Sequence, residues 1–141
     1  MSDRSVFIVY NVLGSPPSGY HSLIMQNGYP YYQLYCTANS TWQYYFGGGI
    51  NATNSCSAGQ GAKLIEVVSS ATVSSVYVNS AQTGTTASPD SAVTAAFMIG
   101  SYNLNNGLNG DIAEILVYNT ALSTADRQTI ENYLNQKYGL Y

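Results

Sequence analysis

A chain of 141 residues fits one domain and is long enough to bury a core. Only 8% of the residues are charged, about a third of the usual share, and the net charge is −3. The four basic residues (Arg4, Lys63, Arg127, Lys137) are scattered, which excludes a nucleic-acid partner, and no apolar run of about 18 residues exists to span a membrane as a helix.

In chain order, SVFIVYNVL at 5–13 predicts a strand. It is too short for a signal peptide and lacks the basic region and small-residue cleavage site. Further short runs of β-branched and aromatic residues predict strands at 20–26, 31–38, 41–46, 62–69, 72–79, 93–100 and 110–118. The breaks GSPPSG, NGYP and TANS carry turn chemistry. Two longer connections, 47–61 and 80–92, are polar and rich in Gly or Ser, and read as surface loops.

Cys36 and Cys56 are 20 residues apart in sequence. Spacing alone leaves a disulfide open, and the reading favours two reduced thiols. With one histidine in the chain they do not make a zinc site.

The last element is a helix over about 124–138. Ser123 caps it, Asp126 completes a capping box, and Gly139 ends it in a left-handed turn. Ala125, Ile130, Tyr133, Leu134 and the stem of Lys137 are expected to form its apolar face, with Arg127 and Glu131 an i,i+4 pair. Leu122 and Leu140 are expected to tuck its two ends against the sheet.

Asp111 and Glu114 invite the thought of a catalytic pair. Regular strand alternation sends residues three apart to opposite faces, with Ile112, Leu116 and Tyr118 on the face of Glu114. A retaining glycosidase needs two carboxylates about 5 Å apart on one face, so no catalytic residue is assigned. His21 has no nucleophile or acid beside it in the pattern and reads as a surface or hydrogen-bonded strand histidine.

The polar surface rests on Ser, Thr, Asn, Gln and 14 tyrosines, which suits uncharged, stackable ligands such as sugars. The densest aromatic stretch is YPYYQLYCTANSTWQYYF at 29–46. Alternation puts Trp42, Tyr44 and Phe46 on one face and Thr41, Gln43 and Tyr45 on the other, with Tyr31, Gln33 and Tyr35 set against Tyr32, Leu34 and Cys36. One face must feed the core. Tyr29, Tyr31, Tyr35, Gln43 and Tyr45 are therefore the candidate ligand-binding residues. Asn39-Ser40-Thr41 and Asn51-Ala52-Thr53 match the glycosylation sequon, as an Asn- and Ser-rich chain does by chance.

The closing stretch GDIAEILVYNTALSTADRQTIENYLNQKYGL resembles the C-terminal signature of the laminin-G-like, concanavalin A-like jelly-roll domains of bacterial and phage proteins. SVFIVYNV, HSLIMQNG, SSVYVNS and FMIGSYN are weaker echoes of the same family. The chain departs from that pattern at Ser80, where glycine is common, and has no acid-rich loop for calcium, Asp90 and Asp111 standing alone. The strand that usually precedes SVFIVY is absent, so an open edge is expected there, to be left bare or covered by a partner.

The resemblance implies an all-β, two-sheet antiparallel jelly-roll sandwich with one C-terminal helix, as a single domain over 1–141. It also implies non-enzymatic binding or adhesion more often than catalysis; from the residues themselves, no cofactor and no metal are expected. The expected role is a surface module, on a phage virion or alternatively secreted or on a bacterial cell, that recognises a glycan or another surface. The alternative is a structural virion subunit, for capsid decoration or a tail, that binds other subunits or its own copies; a polysaccharide-degrading enzyme ranks last.

Overall fold

The computed structural model describes residues 3–16, 19–26, 32–37, 41–46, 48–86, 96–101 and 107–141. In chain order they form β1 (Arg4–Val12), β2 (Tyr20–Gln26), β3 (Tyr32–Thr37), β4 (Thr41–Phe46), β5 (Gly48–Ser55), β6 (Lys63–Ser69), β7 (Ser74–Val78), β8 (Ala81–Thr86), β9 (Phe97–Ile99), β10 (Gly110–Tyr118) and α1 (Thr124–Tyr138). Two five-stranded antiparallel sheets result, one in the order β10-β1-β6-β7-β8 and the other β5-β4-β3-β2-β9. β5 and β8 lie against each other along one side of the sandwich.

β5 and β8 fall in the two stretches read as surface loops, and the structure corrects that reading. GGINATNS and AQTGTT lack apolar alternation, yet each pairs along its length with a neighbour, β4 and β7 respectively. Both are edge strands, where backbone pairing on one side suffices and few side chains need to be apolar. The open edge also lies elsewhere than expected. β1 is an interior strand, and β10 is the edge beside it.

Alternate residues of β1 feed two cores. Val6, Ile8, Tyr10 and Val12 point between the sheets, where they meet Leu23, Leu34, Trp42, Tyr44, Ile65, Val67, Val76 and Val78. The Tyr10 and Trp42 rings meet edge-on at 4.9 Å. Tyr44 crosses the same layer, its hydroxyl 3.0 Å from Ser69 Oγ, which in turn accepts from Ser74 Oγ. Phe7 and Val9 point the other way, onto Leu64, Leu134 and Leu140. Helix α1 therefore forms a third layer on the outer face of the first sheet.

The helix starts and stops as its sequence requires: Ser123 Oγ accepts from the Asp126 N–H, and Gly139 adopts φ 62°. Leu122 and Leu140 pack at its ends. Leu134 and Ile130 pack inward as expected, but the rest of the inner face differs. Tyr133, Ala125 and Lys137 are exposed, whereas Arg127 and Glu131 are buried in line with Leu134. The reason lies in the sheet, where buried Glu66 of β6 faces the helix and Arg127 Nη1 reaches its Oε2 at 3.3 Å while also bonding Glu131. The Tyr77 ring lies 3.9 Å from the same guanidinium.

One irregularity resets β10. Val9 pairs with Glu114 and Tyr10 with Ile112, so Ala113 is an unpaired bulge residue. Ile112 and Ile115 consequently pack between the sheets, while Leu116 and Tyr118 pack under the helix. Asp111 pairs with Asn11 and Glu114 with Val9, so both acids come to the helix side of the sheet. The expectation of opposite faces, and of Ile112 beside Glu114, is overturned by that single extra residue. Gly110 opens the strand because a Cβ there would collide with the Asn11 carbonyl.

Candidate functional site

The second sheet turns its outer face to the side of the molecule away from α1. On β3 and β4, Leu34, Cys36, Trp42 and Tyr44 are buried inward, and Gln33, Tyr35 and Gln43 are half-buried on the outer face. Register then brings side chains together. Tyr35 stands directly opposite Gln43 on one side and opposite Ser22 of β2 on the other. Tyr20, 44% exposed at the start of β2, sets its ring 5.9 Å from that of Tyr35 at an interplanar angle of 61°.

Of the five candidate residues, the structure brings Tyr35 and Gln43 together. Tyr29 and Tyr31 lie outside the described residues. The backbone of Tyr45 pairs with Gln33, and its side chain lies outside the described set. Tyr20 is the residue that sequence reasoning missed. Its signal was the alternation of Tyr20 with Ser22 along β2, but its nearness to Tyr35 depends on cross-strand register, which no single strand reveals.

Beneath this face, the structure joins Cys36 to Cys56 in a disulfide, with 6.3 Å between the Cα atoms. The expectation of reduced thiols is thereby corrected. β3 and the segment after β5 are far apart in sequence, but the β3-β4-β5 meander folds them together. Of the two alternatives for His21, the structure shows the hydrogen-bonded strand histidine, buried in β2. Burial lowers its pKa, and its Nδ1 accepts from the Asn109 N–H at 3.4 Å.

The acids near the chain end are already engaged. Glu114 Oε2 accepts from Lys137 Nζ and from the Tyr138 hydroxyl, each at 3.0 Å. Lys137 is held above its ordinary pKa by hydrogen bonds, first with the Tyr133 hydroxyl and then with Glu114. Asp111 is exposed. Among the described residues no three His, Cys, Asp or Glu side chains cluster as metal ligands would.

A family model described as the concanavalin A-like lectin/glucanases superfamily matches residues 4–126. The chain belongs to that superfamily. No curated protein sequence matches it. Among solved structures, a proposed carbohydrate-binding protein from Bacteroides ovatus is similar, with a TM-score of 0.73 and 14% identity over 96% of this chain and 40% of that one. Trypanosoma rangeli sialidase in complex with sialic acid gives a TM-score of 0.69 and 18% identity, over 96% of this chain and 23% of that one. The Ruminococcus gnavus IT-sialidase CBM40 bound to α2,3-sialyllactose gives 0.63 and 14%, over 93% of this chain and 83% of that one. At these identities the likeness concerns the fold alone, and this chain spans under a quarter of the sialidase's length.

Proposed function

We propose that this chain is a non-enzymatic binding module that recognises a glycan through the outer face of β2, β3 and β4. The single observation that carries the reading is the cluster of Tyr35 with Tyr20 beside it and Gln43 opposite it. Tyrosine rings offer flat apolar faces for the C–H faces of a sugar ring, and the glutamine amide both donates and accepts toward hydroxyls. A protein of similar fold described as carbohydrate-binding supports a sugar as the ligand class.

A binding role without catalysis is supported by the engagement of two of the chain's acids. Glu114 is committed to Lys137 and Tyr138, and Glu66 to Arg127 under the helix. We place the module on an exposed surface, that of a phage virion or alternatively of a bacterial cell or a secreted protein. The Cys36–Cys56 disulfide supports an oxidising setting.

The test is a glycan array probed with the protein and with Tyr35→Ala and Tyr20→Ala variants. Binding that both variants weaken is the expected result; no binding to any glycan sinks the reading. A second reading, a structural virion subunit, is favoured by apolar side chains exposed on the two edge strands at one side of the sandwich. These are Phe97 and Ile99 on β9 and Val117 on β10. Light scattering checks it, and a chain that stays monomeric at every concentration and joins no larger particle counts against it.

A further inference from the structure

We infer that the ligand of the tyrosine face is an uncharged glycan, and that acidic sugars are rejected there; this rests on the glycan reading above. Residues 5–62 contain no Asp, Glu, Lys or Arg. That span includes all of β2, β3, β4 and β5, and β9, with the sequence FMI, adds no charge. The second sheet is thus built without a single formally charged side chain. Its one histidine, His21, is buried with its ring nitrogen accepting a hydrogen bond from Asn109.

The four cations of the chain all belong to the other layers. Arg4 lies in β1 and is buried, and Lys63 opens β6 and bonds Gln60. Arg127 and Lys137 lie on α1, across the molecule from the tyrosine face, held by Glu66 and Glu131 and by Glu114 respectively. The helix N-terminus is in that far layer too, capped by Ser123 and Asp126.

A sugar carboxylate set down between Tyr35 and Gln43 would lose water without meeting a cation. A desolvated charge without a partner is disfavoured far more than a desolvated hydroxyl that finds an amide. Neutral sugars face no such penalty: the ring stacks on tyrosine and the hydroxyls bond to glutamine. The charge-free sheet therefore acts as a filter on ligand class.

The experiment is an array that carries neutral oligosaccharides beside their sialylated and uronate-bearing counterparts, read at low and high salt. The expected result is binding to neutral members, roughly tenfold or more weaker binding to the acidic counterparts, and little change with salt. Equal or stronger binding of the acidic members overturns this inference alone; silence across the array overturns the glycan reading and this inference with it. A Gln43→Arg variant, its fold checked by unchanged Trp42 emission, is expected to raise the acidic-to-neutral ratio. An unchanged ratio in that variant overturns the inference as well.

Discussion

Arg127 of α1 and Glu66 of β6 meet at 3.3 Å in a layer closed to water, with Glu131 bonded to the same guanidinium. One cation serves two carboxyl groups there. Glu66 is pushed up to about 9, first by burial and then by its neighbour Glu131, so it keeps its proton at neutral pH. Between the ordinary carboxyl range near 4.5 and about 9, the folded chain binds a proton that the unfolded chain has lost. The contribution of this group is therefore full below about pH 4.5 and is lost steadily as pH rises to about 9. Thermal melts across that window are expected to show falling stability, and Glu66→Gln to flatten the slope. A variant with the parent's slope would assign the titration elsewhere.

The Cys36–Cys56 link closes a loop over a sequence separation of 20 residues, which corresponds to about 3 kcal/mol of stabilisation. The double variant Cys36→Ala/Cys56→Ala is expected to lose about that much in urea denaturation. Both sulfurs are buried, so thiol titration of the native parent should find nothing without denaturant and reductant.

Trp42 and Tyr35 sit on adjacent strands but serve opposite faces. Trp42→Ala should cost about 3–5 kcal/mol by emptying the inter-sheet core. Tyr35→Ala should cost about 1 kcal/mol while weakening glycan binding. Trp42 is the chain's single tryptophan and is fully buried, so its emission should stay unchanged when ligand is added. A ligand-induced shift in emission would place the contact elsewhere.

Asn79 and Ser80 make the β7–β8 turn with φ of 47° and 65°, the left-handed pair that suits a two-residue hairpin. Glycine, common in the family at position 80, would hold that geometry without the Cβ penalty. Ser80→Gly is expected to raise stability by about 1 kcal/mol, less whatever the exposed contact of Ser80 Oγ with the Tyr141 hydroxyl contributes. A lower melting temperature would show that contact to outweigh backbone strain.

What the sequence revealed follows a physical divide. β1, β4, β6 and α1 were legible because their apolar residues recur at the period of the element and their ends carry turn or cap chemistry. β5 and β8 were not, since edge strands need pairing partners more than apolar side chains. The outward direction of Tyr35 and Gln43 could be read from alternation, but the approach of Tyr20 required register. The faces of Asp111 and Glu114 were misread because a bulge at Ala113 breaks the alternation on which that argument relied. The burial of Arg127 and Glu131 follows from Glu66, an acid in the apolar run KLIEVVS that can be explained only once the helix lies over it.

Helix α1 packs on the outer face of the first sheet and not on that of the second, so the molecule has a front and a back. Were copies held side by side with their fronts turned the same way, release would require many contacts to let go together. In that arrangement the helix layer would lie on the side opposite the ligand.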